Sequence, residues 1–246
     1  MDKTTIKKYP VMQVHFHSLT MQEALQTLLE ILSAGKNDPK NHLVVTPNPE
    51  ALMLARRNRQ FLHILQNADL VLADGIGILL AARWLKLPLP ERVPGCDITI
   101  QLLKTAKNHT CYLLGAAPGV AETAKQRLEQ EGITVLGARS GYFNEETERD
   151  ITEEIQALKP DILLVGMGMP KQEEWTWSNL HTLPCKLTLC VGGTIDILAG
   201  NVRRAPALMR RFGLEWFYRL LTNPSRLKRM LILPKFAWLI LTTPKN

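Results

Sequence analysis

Short apolar, β-rich runs alternate with longer amphipathic segments over most of this 246-residue chain. Strands this short, separated by helices of ten or more residues, are typical of a largely parallel sheet with helices on both faces. The sequence therefore predicts an α/β, Rossmann-like fold. We expect strands at Val11–Phe16, Leu43–Val45, Leu70–Ala73, Cys111–Gly115, Thr134–Leu136, Ile162–Gly166 and Leu187–Val191.

The segments between these strands carry helical patterns. Thr20 followed by Glu23 matches a capping box, in which each side chain satisfies a backbone N–H of the first turn. The predicted helices are Thr20–Ala34, Glu50–Asn67, Asp97–Lys107, Val120–Glu131 and Glu145–Leu158.

The basic residues are concentrated at the carboxyl end of the chain. Residues 201–246 contain ten Lys and Arg against one acid, Glu215, whereas residues 1–200 contain 20 basic and 22 acidic side chains. The β pattern stops in the basic stretch, where cations alternate with large apolar residues in amphipathic helices. We expect an α/β body over residues 1–200 and a basic helical appendage over residues 201–246. Such an appendage favours an anionic partner, and charge alone fits nucleic acid, anionic lipid or phosphate.

The sequence also bears on the cellular compartment. No uninterrupted apolar stretch reaches the roughly 18 residues of a spanning helix, and the first twelve residues lack the apolar core of a secretory signal. The four cysteines form no CxxC pair, and three lie in or beside apolar runs. We therefore expect buried thiols of a reducing compartment rather than disulfides or zinc ligands, and a cytoplasmic protein.

Ligands of parallel sheets bind beyond the carboxyl ends of the strands, so the turns after each predicted strand are the first candidates for a site. Asp74 follows an apolar strand and precedes glycines, which suits a general base acting on a sugar hydroxyl. An N-cap role for Asp74 fits its position equally well. Asn48, after the preceding strand, is likewise either a helix cap or a ligand contact.

Two glycine turns and one polar loop suit phosphate. Gly166 and Gly168 form half of a dinucleotide fingerprint, with Lys171 where the third glycine would be, and Gly192 and Gly193 open another helix. Exposed backbone N–H groups and a lysine at such turns favour phosphate binding. Arg92 is placed to hold a diphosphate with two parallel hydrogen bonds, the alternative being a solvated surface arginine.

Several catalytic signatures are absent from the sequence. It contains no P-loop, no GxSxG, no HExxH and no kinase signature. His15 and His17 share one strand face but have no third metal ligand, and there is no DxD pair to hold a divalent metal for a nucleotide sugar. The sequence thus predicts neither a metal nor another cofactor, and a bound diphosphate would rely on Arg, Lys and backbone N–H groups.

The polar turns belong to longer motifs spread along the chain. In order they are TPNPE (46–50), ADGIGI (73–78), RVPGCD (92–97), LLGA (113–116), GYF (141–143), GMGMPKQE (166–173), VGGTIDILAGNVRRAP (191–206) and GLEWFYRLLTNPSRLKRM (213–230). With these motifs the chain resembles the WecG/TagA/CpsF family of bacterial glycosyltransferases over nearly its whole length.

The resemblance implies an inverting, metal-independent transferase. It would move N-acetylmannosamine from a UDP-sugar donor to a polyprenyl-diphosphate-linked GlcNAc acceptor in teichoic-acid-type polysaccharide synthesis. By the same resemblance Asp74 deprotonates the acceptor hydroxyl, while Thr46, Asn48 and Gln172 contact the sugars. The appendage would close the site, with its arginines facing diphosphate or lipid; the candidates are Arg203, Arg204, Arg219 and Arg226.

A lipid-linked acceptor implies peripheral association with the inner face of the cell membrane. The aromatic residues expected to attach the appendage there are Trp216, Phe217, Tyr218, Phe236 and Trp238. Three alternatives stay open: another donor such as UDP-N-acetylmannosaminuronic acid or UDP-glucose, a non-catalytic nucleotide-binding module docked on the membrane, and a homo-oligomer. A nucleic-acid partner rests on charge alone, and we do not expect one.

Overall fold

The computed structural model describes residues 6–34, 40–222 and 227–243, and for Arg211, Arg219, Lys228 and Arg229 it describes only the backbone. Eight strands lie in these ranges: β1 (Lys8–Val11), β2 (Val14–His17), β3 (His42–Val45), β4 (Leu70–Val71), β5 (Cys111–Gly115), β6 (Val135–Arg139), β7 (Ile162–Gly166) and β8 (Leu187–Cys190). Strands β3 to β8 form one six-stranded sheet in the order β4-β3-β8-β7-β5-β6, and every neighbouring pair is parallel. The predicted parallel sheet is confirmed.

Helices connect the strands. They are α1 (Met21–Ser33), α2 (Pro49–Ala55), α3 (Arg59–Asn67), α4 (Ile76–Trp84), α5 (Gly95–Thr105), α6 (Val120–Gln130), α7 (Glu145–Leu158), α8 (Lys171–Asn179), α9 (Thr194–Leu198), α10 (Ala207–Arg211), α11 (Glu215–Thr222), α12 (Leu227–Met230) and α13 (Ile232–Thr242). The capping box at the start of α1 is confirmed, because the Thr20 side chain accepts the Glu23 N–H and the Glu23 carboxylate accepts the Thr20 N–H.

Both faces of the sheet are covered by apolar side chains, since successive residues of a strand point to opposite faces. On one face Val44, Leu113 and Leu164 pack with residues of α1, α5, α6 and α9. On the other face one cluster joins β3 to α2, α3 and α4, and a second cluster joins β5 and β7 to α7 and α8. This two-sided burial explains why these strands read as continuous apolar runs.

Two of the predicted elements are wrong. The strand expected at Val11–Phe16 is a hairpin outside the main sheet, in which β1 and β2 pair antiparallel on either side of a turn at Met12 and Gln13. Met12 adopts a φ of 57°, a conformation that its type does not signal in a sequence. The single helix expected over Glu50–Asn67 is two helices, because Asn58 interrupts it and caps α3 by accepting the Phe61 N–H.

The basic appendage is helical in the described residues, as predicted, and its last helix packs on the body. Helix α13 contacts α2 and α4, and Phe236 and Ile240 are buried in the same apolar cluster as α2, α3 and α4. The expectation that Phe236 faces a membrane is therefore wrong, whereas Trp238 on the same helix is 62% exposed. None of the described helices has the length and apolarity needed to cross a membrane.

Candidate active site

A cavity of about 690 Å³ opens at the carboxyl ends of β3, β4, β7 and β8. The turns after these strands form its polar side, and α4 and α13 form an apolar side. Because the four strands are neighbours in the sheet, the topology brings together residues that lie far apart in the sequence. The predicted site residues on its lining are Thr46, Asn48, Asp74, Arg92, Gly168, Gln172, Gly192 and Gly193.

Asp74 lies in the cavity wall, just after β4. Its backbone N–H donates to the Pro47 carbonyl at 3.4 Å, which ties the turn after β4 to the turn after β3. The N-cap of α4 is Gly75, which has a φ of 86°, so Asp74 does not occupy the cap position. The position of Asp74 leaves the general-base interpretation standing and removes the N-cap alternative.

Thr46 and Asn48 line the cavity at the end of β3. The Asn48 side-chain oxygen accepts the Ala51 N–H at 3.0 Å and caps α2, so the capping alternative holds for this oxygen. Thr46 supports the start of α5, where a Cβ added at Gly95 would lie 2.5 Å from the Thr46 hydroxyl oxygen. Glycine at position 95 is thus required for the close approach of α5 to Thr46.

Gln172 joins the two predicted glycine turns. Its side-chain oxygen accepts the Gly168 N–H at 3.2 Å and the Gly192 N–H at 3.0 Å, so one amide spans the turns after β7 and β8. The two N–H groups predicted to hold phosphate are therefore already bonded to protein. Both glycines have positive φ, and no atom of the described residues lies within 4 Å of the place where a Cβ would stand, so a ligand can approach the backbone closely there.

Glu173 is a cavity residue that sequence reasoning missed. The residue is 6% exposed, its Oε1 accepts from Gln172 Nε2 at 2.7 Å, and its Oε2 is buried with no hydrogen-bond partner among the described residues. Burial raises the pKa of this carboxyl to about 7. An acidic residue in the first turn of a helix usually indicates a favourable interaction with the helix dipole, so the sequence carries no signal of this burial.

Arg92 lines the cavity, and a network of arginines and one aspartate lies beside it. Arg92 Nη2 donates to the backbone carbonyl of Arg210 in α10. Asp97, in the first turn of α5, accepts from Arg204 at 2.5 Å and lies 3.6 Å from Arg210. Arg204 is therefore an ion-pair partner of the body, and it does not line the cavity. This network fixes the start of the appendage on α5.

Other predicted residues lie away from the cavity lining. Lys171 donates to the Gly141 carbonyl at 2.9 Å and lies over the Phe143 ring, so it fixes the loop after β6 instead of pointing at the glycine turns. Gly166 ends β7 and packs against the Gly192 carbonyl. Arg203 is exposed, the side chain of Arg219 is outside the described atoms, and Arg226 is outside the described residues.

The charges on the cavity wall are mostly negative. Among residues described with their side chains, Glu50, Asp74, Glu173 and Glu215 line the cavity, and Arg92 is the one cation that does so. Within the described ranges no three His, Cys, Asp or Glu side chains are grouped so that they could hold a metal ion. The site thus combines carboxylates able to accept protons with a single guanidinium able to bind an anion.

Comparison with known proteins adds a family and named relatives. The model of the glycosyl transferase WecG/TagA/CpsF family matches residues 9–246. An N-acetylglucosaminyldiphosphoundecaprenol N-acetyl-beta-D-mannosaminyltransferase of Bacillus spizizenii is 36% identical, over 82% of this chain and 79% of its own length. A protein of the same name from Staphylococcus aureus strain MRSA252 is 35% identical, over 97% of this chain and 94% of its own length.

Proposed function

The chain belongs to the WecG/TagA/CpsF family of glycosyl transferases, and on that premise we propose that it transfers N-acetylmannosamine from UDP to a polyprenyl-diphosphate-linked GlcNAc. The observation that carries the proposal is the position of Asp74, which lies in the wall of one cavity with Thr46, Asn48 and Gln172. The names of the relatives supply the sugar and the lipid-linked acceptor. The product would serve the synthesis of a teichoic-acid-type surface polysaccharide.

Asp74 would act as the general base. Its carboxylate takes the proton of the acceptor hydroxyl as the hydroxyl oxygen bonds to the anomeric carbon of the donor sugar. The bond from that carbon to the diphosphate oxygen breaks, its electron pair leaves with UDP, and the anomeric configuration inverts. A positioned base typically contributes a factor of about 10²–10⁴ to the rate.

Arg92 would stabilise the leaving diphosphate. It is the cation on the lining of the cavity as far as the side chains are described, and hydrogen bonds from a guanidinium to phosphate oxygens are among the strong ones. Stabilising negative charge as it develops on the leaving group lowers the barrier. We propose that appendage arginines join Arg92 when substrate binds, with Arg203, Arg219 and Arg226 as candidates and Arg204 held by Asp97.

The test is an incubation of the purified protein with UDP-N-acetylmannosamine and a short-chain GlcNAc-diphosphate lipid, with EDTA present, while UDP release is followed. We expect prompt release that Asp74→Ala lowers by about 10²–10⁴-fold. Asp150→Ala is the matched control, because it removes the same charge from an exposed position on α7. Asp150→Ala should keep the wild-type rate.

Each other outcome corrects a separate part of the proposal. Release that requires added Mg²⁺ would overturn metal independence. Release with UDP-N-acetylmannosaminuronic acid or UDP-glucose alone would correct the donor. Full activity of Asp74→Ala would refute the catalytic role of this carboxylate, and no release with any donor would favour a binding module.

We also propose that the appendage docks the enzyme on the inner face of the membrane. Large apolar side chains are exposed on α10, α11 and the turn between them, namely Leu208, Phe212, Trp216, Phe217 and Leu221, and basic residues lie among them. Each cation near anionic lipid adds on the order of 1 kcal/mol. Flotation with vesicles tests this: binding to anionic vesicles and not to neutral ones is expected, and the absence of both would refute it.

Deletion of residues 201–246 should abolish transfer, because α13 and Trp216 form part of the cavity lining. Deletion would also uncover the face of α2 and α4 on which α13 packs, and an exposed apolar patch of this kind favours self-association. A full-length protein that sediments as a monomer and a truncated one that sediments as an oligomer would support this account. An active, fully soluble truncation would refute it.

A further inference from the structure

The two sides of the cavity differ in chemistry. The polar side consists of the strand-end turns around Asp74 and Gln172. Helices α4 and α13 form another part of the lining, and the residues they contribute carry no charge. The lining residues from these helices are Ile76, Gly77, Leu80, Ala81, Trp84, Leu233, Phe236, Ala237, Ile240 and Leu241.

Large apolar side chains stay exposed at the rim of this apolar side. Leu80 is 55% exposed and Trp84 is 39% exposed on α4, and Leu241 is 54% exposed on α13. Phe236 and Ile240, at 4% each, are buried against the body. Single exposed leucines are ordinary, but several that line one concave surface mark a binding groove for an apolar ligand.

We propose that the apolar part of the cavity lined by α4 and α13, here called the apolar cleft, binds the first isoprene units of the polyprenyl chain of the acceptor. The inference rests on the proposed function, and it adds a subsite for the chain as distinct from docking on the membrane surface. The polyprenyl chain is the expected occupant because the apolar cleft and the polar turns belong to one continuous cavity. A ligand that fills the cavity needs a polar head near Asp74 and an apolar tail along α13.

The length and chemistry of the cleft suit this occupant. Helix α13 has 11 residues and is therefore about 16 Å long, enough for a few isoprene units to lie along it. A second copy of the chain would fit less well, because an interface between copies needs a wide surface, while this cleft is part of a concave cavity that the polar turns also line. The cleft therefore distinguishes acceptors by their chain.

The test compares two acceptors with the same GlcNAc-diphosphate head, one carrying a farnesyl chain and one a methyl group, without vesicles. For the wild type we expect kcat/KM to be about tenfold or more higher for the farnesyl acceptor than for the methyl acceptor. The reason is that a pocket prefers the substrate whose apolar groups fill it. Leu80→Asn and Leu241→Asn should lower this ratio by about tenfold. Both positions are exposed, so the substitutions spare the core.

Trp238→Asn is the matched control. Trp238 lies on the same helix and is 62% exposed, but it does not line the cavity, so its substitution should keep the wild-type ratio. An equal loss of the ratio in Trp238→Asn would overturn the proposal in favour of general apolar contact by the appendage. An unchanged ratio in both cleft variants would overturn it outright.

A binding experiment separates failure of the subsite from failure of the proposed function. Farnesyl diphosphate and inorganic pyrophosphate are titrated against the full-length protein, and tryptophan fluorescence reports binding because Trp84 and Trp216 line the cavity. We expect farnesyl diphosphate to bind about tenfold or more tightly than pyrophosphate, and Leu241→Asn to remove most of that difference. Equal affinities would overturn the subsite, whether or not the protein transfers sugar.

Discussion

The bridge formed by Gln172 gives the prediction with the best-defined magnitude. Replacing Gln172 with Ala removes the acceptor of the Gly168 and Gly192 N–H groups and the donor to Glu173. A buried polar group left without its partner costs about 1–3 kcal/mol. Gly168 is exposed and Gly192 lines the cavity, so water can replace the partner of each N–H, and the buried Glu173 carboxyl carries most of the loss. We expect Gln172→Ala to lower the free energy of unfolding by about 2 kcal/mol.

The assay is urea unfolding followed by circular dichroism, with the midpoint compared at equal slope. Gln26→Ala is the control, because Gln26 forms an exposed hydrogen bond to Glu30 on α1, and its loss should cost below about 0.5 kcal/mol. Equal stabilities of Gln172→Ala and Gln26→Ala would refute the bridging role.

Gln172→Glu refines the same test. The new carboxyl keeps an acceptor for the two N–H groups but stands beside Glu173, whose pKa is already raised to about 7 by burial. Two neighbouring carboxylates cannot both ionise cheaply, so the variant should lose further stability as the pH rises from 5 to 8. A variant whose stability stays parallel to that of the wild type over this range would contradict the buried position of Glu173.

Three further predictions concern the hairpin and the appendage. Burial, with a smaller effect of Lys8, lowers the pKa of His17 from 6.5 to about 4. The unfolded chain therefore takes up the proton first, and the stability of the protein falls as the pH drops below 6.5. In urea unfolding, His17→Asn should remove about 2 kcal/mol of the stability that the wild type loses between pH 7.5 and pH 5. Asp97→Asn should lower the free energy of unfolding by about 2 kcal/mol and speed proteolysis within residues 201–214. The control Glu131→Gln, which breaks an exposed pair with Lys104, should change neither the stability nor the rate of proteolysis. Phe236→Ala should lower the free energy of unfolding by up to about 3–5 kcal/mol and raise hydrogen exchange throughout α13. Hydrogen-exchange protection equal to that of the wild type would contradict the packing of α13 on the body.

The fold was predictable because burial on both faces of a parallel sheet leaves a direct trace in the sequence. Strands β5 and β7 begin and end where their apolar runs do, and α7 spans the residues predicted for it. The hairpin was missed because Met12 adopts a left-handed conformation without a glycine or asparagine to signal it. Helices α2 and α3 were merged because a break at Asn58 does not interrupt the apolar periodicity strongly.

The sequence predicted which turns form the site, because these turns follow the ends of parallel strands. The parallel order brings Asp74, Asn48 and Gln172 to one cavity, as expected for turns at the carboxyl edge of a sheet. The partners of individual side chains were not predictable, because they join distant segments. Arg204 pairs with Asp97, which lies 107 residues earlier in the sequence. Helix α13, near the end of the chain, lines the same cavity as Thr46, which lies in its first quarter.

The central claim is that Asp74 takes the proton of the acceptor in this cavity. Its most direct test is the rate of disaccharide-diphosphate-lipid formation by the wild type and by Asp74→Asn, with both substrates saturating. Asn keeps the volume of Asp74 but cannot accept the proton, so we expect kcat to fall by about 10²–10⁴-fold while the KM values stay close to those of the wild type. A kcat within a few-fold of the wild-type value would contradict the claim and assign the proton to another group.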